Sequence, residues 1–121
     1  MAKHNETGKK GEEIATRLLH DKGYRILATN YRYRRAEIDI IAKKEDTLVF
    51  VEVKTRKNLS YGHPSLFITP RKETLIIEAA GVYMDEHDHD GPIRFDIIAI
   101  SIEKDQTPII DHYEDAFFPG I

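Results

Sequence analysis

Cysteine and tryptophan are both absent from the 121 residues. Without thiols there is no disulfide framework, no thiolate zinc site and no cysteine nucleophile, and the composition suits a reducing compartment. The first twenty residues, MAKHNETGKKGEEIATRLLH, hold no unbroken apolar run. That argues against a secretory signal and against a membrane span, so the expectation is a cytoplasmic protein with no membrane partner. Internal repeats, low-complexity tracts and linker-like stretches are missing as well. No glycine-rich phosphate loop and no Ser/His/Asp arrangement stands out.

What is present bounds the answer further. A hydrophobic fraction of 40% can build a core, and the length fits one domain over 1–121. The formal charge of −3 hides an asymmetry. Residues 1–82 carry 16 Lys/Arg against 11 Asp/Glu, a net +5, and residues 83–121 carry 2 against 10, a net −8. Lys9, Lys10, Arg17, Lys22, Arg25, Arg32, Arg34 and Arg35 all fall in the first 35 positions. A basic face attracts phosphate backbones even on an acidic protein; an ordinary solvated surface is the alternative.

Periodicity orders the elements. Residues 11–22 read as an amphipathic helix, with Gly11, Ala15, Leu18, Leu19 and Lys22 on one stripe and Gly23 as its stop. Tyr24–Asn30 reads as a strand, and YRYRRA as a polar, basic connection. EIDIIAK (37–43) and TLVFVEVK (47–54) flank the turn Lys44-Glu45-Asp46 as a hairpin. In the second of these strands Leu48 and Phe50 oppose Val49, Val51 and Val53, so both faces are apolar and helices should cover both. Residues 57–68 read as a loop. Thr69-Pro70 caps a helix running to about Asp85, buried through Leu75, Ile76, Ala79, Ala80 and Tyr83. Ile93–Ile102 is a strong strand, and 108–113 a short edge strand. The sum is an α/β fold, a central mixed sheet with helices on its faces.

Hairpin geometry brings two acids together. A turn centred between Glu45 and Asp46 pairs residues whose numbers sum to 91, which sets Asp39 opposite Glu52 and Glu37 opposite Lys54. Opposed carboxylates in an apolar strand need an offset, and Mg²⁺ supplies one with one or two carboxylates, waters and phosphate oxygens. The plain alternative is a Glu37–Lys54 salt bridge with Asp39 at a wet edge. On the first helix Glu12 lies only about 20° from Leu19 and can lean over the sheet, whereas Glu13 points to solvent. A flanking glutamate turned outward is the other option for Glu12.

The segments GKKGEEIA, LHDKGYRILATNYR, AEIDIIA, LVFVEVKTR, TPRK and RFDIIAI resemble the YraN family of small bacterial proteins over nearly the whole chain, most specifically in EID and FVEVKTR. That family resembles the restriction-endonuclease-like PD-(D/E)xK fold, with archaeal Holliday-junction resolvases as its usual comparison. The resemblance implies a Mg²⁺-dependent nuclease (Mn²⁺ substituting) that hydrolyses phosphodiester bonds in DNA, branched or structured DNA included. It assigns Asp39, Glu52, Lys54 and Glu12 to catalysis, and Asp39, Glu52 and the Val53 carbonyl to metal. Arg32, Arg34, Arg35, Arg56, Lys57 and Lys72 would hold nucleic acid. A homodimer is implied by the resolvases, with the Phe117-Phe118 tail either interfacial or core. Ala36 stands where the family has glycine, which would strain a turn if φ were positive there. The rival readings are a non-catalytic nucleic-acid-binding or assembly protein and a metal-binding structural protein.

Weaker signals remain. His87 and His89, in the run Glu86–Asp90, carry ligand-type nitrogens but read more simply as a solvated loop. His63 reads as a surface histidine. Tyr31 and Tyr33 interleave with arginines in a base-stacking pattern or an amphipathic cover. Asp96 is assigned a structural role beside Arg94.

Overall fold

The computed structural model describes residues 2–56, 68–103 and 107–117. Helix α1 (Ala2–Asp21) leads into β1 (Arg25–Tyr33), β2 (Ala36–Lys44) and β3 (Thr47–Arg56); α2 (Pro70–Glu86) then precedes β4 (Ile93–Ser101) and β5 (Ile109–Tyr113). The five strands form one sheet in the order β1-β2-β3-β4-β5. Among the described residues only the β3–β4 pair is parallel; the other three pairs are antiparallel. A parallel pair needs a crossover, and α2 provides it.

Alternation in β3 decides the layering. Leu48 and Phe50 join Phe95, Ile97, Ile76, Ala80 and Tyr83 in a core under α2. Val49 and Val51 join Ile98, Ile100, Ala15 and Leu19 in a core under α1. Both faces of the sheet are therefore covered, as the two-sided apolar strand requires. Thr69 caps α2, its side chain accepting from the Lys72 N–H at 3.2 Å. Phe117 folds back onto Phe95, with ring centroids 5.1 Å apart; Phe118 lies outside the described residues, as do Lys57 and His63.

Two elements run longer than periodicity predicts. Helix α1 begins at Ala2 rather than Gly11, because its first residues are polar and carry no apolar stripe to read. The YRYRRA segment is a hairpin, not a connection: Tyr31–Tyr33 extend β1, and Arg34-Arg35 turn directly into β2 with Tyr33 opposite Ala36. Its polarity follows from its place at the sheet edge. The left-handed residue is Arg34 (φ 55°), while Ala36 is buried in β2 without positive φ, so the expected strain at Ala36 does not arise.

Candidate functional site

The site grows from a fault in strand alternation. Ile40 pairs with Val51 and Lys44 with Thr47, each pair summing to 91 as the hairpin geometry requires. Yet Ile38 and Ile41 both face the α2 core, while Ile40 and Ala42 face the α1 core. A spacing of three on one face breaks the period of two, so β2 reverses its faces at Asp39. Its neighbour reverses with it: Ala28 and Tyr31 both pack toward α2, with Asn30 at φ 53° between them. Asparagine tolerates that left-handed geometry better than most residues.

Strand β3 does not reverse, and its ladder to β2 ends at Ile40↔Val51. One rung beyond, the Asp39 carboxylate takes over from the main chain: Oδ2 accepts the Val53 N–H at 2.7 Å. The strands fork there, with Asp39 lining a hollow on either side. One, of about 210 Å³, is shared with Arg35, Glu37, Glu52 and Lys72. The other, of about 230 Å³, is shared with Glu12, Val53, Lys54 and Arg56. A larger hollow of about 720 Å³ lies between α1 and β1 and shares Glu12 with the fork.

Charge is concentrated at this fork. Glu52 is only 3% exposed, and its Oε2 lies 3.4 Å from the Lys54 ammonium and in direct ion pairing with Lys72. Burial, and then the Glu52 charge, push the Asp39 carboxyl up to about 8. Burial also raises Glu12, against a hydrogen bond from Asn30, with Glu37 and Glu52 adding repulsion. The two lysines diverge. Burial lowers Lys54 and Lys72 repels it. Burial is the largest influence on Lys72 and works against it, but the hydrogen bond to Glu52 and the attraction of the Glu52 charge together outweigh that and raise it.

The raised Asp39 value carries a sign. A carboxyl whose folded value exceeds its ordinary 3.8 lends stability in full below that pH and loses it as pH climbs through about 8. Metal-free protein is therefore expected to melt at falling temperature from pH 5 to pH 9. Asp39→Asn should flatten that slope and, at the alkaline end, melt several degrees above wild type. Melting curves across that range check it.

The structure sorts the expected residues. Glu12, Asp39, Glu52, Lys54, Val53, Lys72, Arg35 and Arg56 line the fork. Arg32 is instead engaged by Glu37 across β1–β2 at 3.2 Å, and Lys54 pairs with Glu52, so the alternative of a Glu37–Lys54 bridge is not what forms. Arg34 lies at the hairpin tip over the Tyr33 ring. His87 and His89 each have one ring nitrogen on a backbone carbonyl, of Tyr83 and Pro92 respectively. Sequence reasoning missed Asn30, for which a lone asparagine inside a strand was the available signal. It underrated Lys72, whose place in the first turn of α2 sets it above Glu52.

Asp96 lies apart from the fork. It is fully buried on the α1 face of β4 and accepts from Arg94 Nε and Nη2, His112 and the Asp115 N–H. Burial alone would raise its carboxyl, but those donors hold it below the ordinary value.

Fold and site together define an α/β protein with a mixed five-stranded sheet and an acid–lysine cluster at a strand fork. The chain belongs to Uncharacterised protein family UPF0102, whose profile matches residues 11–100, a stretch containing Glu12, Asp39, Glu52, Lys54 and Lys72. It is 48% identical over 118 residues to a UPF0102 protein of Flavobacterium psychrophilum, covering 98% of each chain. A Christiangramia forsetii relative is 49% identical with the same coverage. One from Bacteroides thetaiotaomicron is 43% identical over 100% of this chain and 99% of its own. This is the family to which the YraN-like motifs point. Among the described residues, no helix is long and apolar enough to cross a membrane.

Proposed function

We propose that the fork is the active site of a divalent-metal-dependent nuclease acting on DNA. One observation carries this reading: a half-buried carboxylate, Asp39, and a buried one, Glu52, are set beside two lysines where strand pairing stops. Such a cluster is electrostatically costly, and strain of that kind gathers at functional sites. The antiparallel hairpin feeding a parallel β3–β4 pair bridged by α2 agrees with the restriction-endonuclease-like resemblance.

The donor set suits Mg²⁺ or Mn²⁺ rather than a closed cage. Among the described residues no three acidic or histidine side chains meet closely enough to hold an ion by themselves. Mg²⁺ asks for less, one or two carboxylates with waters and phosphate oxygens completing the shell, so Asp39, Glu52 and the Val53 carbonyl would hold it. Such an ion supplies an activated water and charge neutralisation at the phosphate. Glu52 accepts Lys54 and Lys72 and keeps both ammoniums at the cleft; Lys54 is placed to meet charge developing on the phosphate. Arg35 and Arg56 flank the two hollows, where a backbone phosphate would pass.

Calorimetric titration with Mn²⁺ tests the reading. Wild type should bind, and Asp39→Asn should bind at least tenfold more weakly while remaining folded. A second reading, a non-catalytic nucleic-acid-binding protein, draws on the fact that lysines alone already neutralise Glu52. Absence of Mn²⁺ binding both with and without an oligonucleotide, alongside metal-independent DNA affinity, would replace the nuclease reading by that one.

A further inference from the structure

At the other end of the α2 face lies a hollow of about 230 Å³ walled by Arg25, Lys43, His87 and His89, with Leu48 and Tyr83 beneath. Arg25 and Lys43 stand directly opposite each other in the β1–β2 pair. Like charges so placed repel, and among the described residues neither has an ion pair. The acids of the 85–90 segment do not line the hollow. Two cations without an ion pair among the described residues thus share one concavity, at a cost in free energy.

The imidazoles are fixed beside them. His87 stacks on Tyr83 at 3.9 Å between ring centroids and 21° between planes. Its Nδ1 lies 2.9 Å from the Tyr83 carbonyl, and His89 Nε2 lies 3.2 Å from that of Pro92. A carbonyl only accepts, so these nitrogens carry the protons. His87 Nε2 and His89 Nδ1 are the ring nitrogens left for a ligand. Two fixed cations in the wall disfavour a metal ion at the same place.

We propose that this hollow is a binding site for a phosphate group, with Arg25 and Lys43 supplying charge and the two imidazoles hydrogen bonds. From Leu48 to Glu52 along β3 is roughly 13 Å. The phosphate therefore comes either from a small ligand or from a nucleic-acid strand that also crosses the fork.

Titration with inorganic phosphate at constant ionic strength, followed by NMR on the histidine rings, tests the site. Wild type should show saturable shifts at His87 and His89 in the millimolar range or below. Lys43→Gln and Arg25→Gln should each weaken binding at least fivefold without lowering the melting temperature, since each removes a repulsion. Lys72→Gln should leave it unchanged, which separates this hollow from the fork. No saturable shift in wild type, or equal affinity in Lys43→Gln, overturns the proposal. Parallel titrations with a nucleoside 5′-monophosphate and a short DNA duplex identify the source. Duplex affinity lost along with phosphate affinity in Lys43→Gln supports a backbone phosphate, and duplex affinity unchanged supports a small ligand.

Discussion

Glu52→Gln is expected to lower metal-dependent DNA cleavage by roughly 10²–10³-fold, the scale of removing one charged group that acts in the transition state. This carboxylate pairs with both Lys54 and Lys72, and in the proposed nuclease it would also be a metal ligand. Glutamine keeps the shape and an accepting oxygen but loses the charge, so the two ammoniums repel without a counterion. Binding of metal and placement of Lys54 therefore fail together. Some stability is lost as well, about 1–3 kcal/mol for a buried group left poorly matched. That leaves the protein folded, because Glu52 contributes little to either apolar core. Cleavage assays on junction, flap and single-stranded DNA with Mg²⁺ or Mn²⁺, beside circular dichroism, are the check. A folded variant that cuts as fast as wild type rejects the nuclease assignment.

Asp96→Ala is expected to be the most destabilising single change, costing about 3–5 kcal/mol. The substitution strands a half-buried guanidinium, the His112 Nε2 and the Asp115 N–H around an empty space. Arg94 also donates to the Tyr24 hydroxyl, so the loss spreads to the end of α1. Urea melts at neutral pH measure it, and a cost below 1 kcal/mol would show that the network is not a keystone of β4. The pH behaviour should oppose that of Asp39. A carboxyl held low lends stability above its ordinary 3.8 and loses it as pH falls below. Asp96 thus sets the acid limit of the fold, whereas Asp39 erodes it toward alkali.

Much of this was legible from residue order. The two-faced apolar run 48–51 dictates a sheet covered on both sides, and a two-residue turn at Glu45-Asp46 fixes the pairing sum of 91. Both follow from local geometry with period two. The reversal at Asn30 and Asp39 was not legible, because a change of face leaves no mark in composition: Ile38, Ile40 and Ile41 are all isoleucine. The same reversal explains why Asp39 meets the Val53 N–H instead of simply standing across from Glu52. Polar segments were the other blind spot. The start of α1 is polar in sequence, and the Tyr-Arg-Tyr alternation that extends β1 is obscured by the arginines that follow it. Glu12 was readable from its helical angle, but its partner Asn30 belongs to a strand that only the tertiary fold brings near.

The bond from the Val53 amide to Asp39 makes one side chain serve as a rung of the sheet and as an acid. Ionisation and strand pairing then become a single variable at this position. A carboxylate grips that amide more strongly than a carboxylic acid does, so each proton gained or lost at Asp39 tightens or slackens the seam between β2 and β3. That amide lies in β3 between Glu52 and Lys54, so the strand carries the state of its acid to both neighbours along its own backbone.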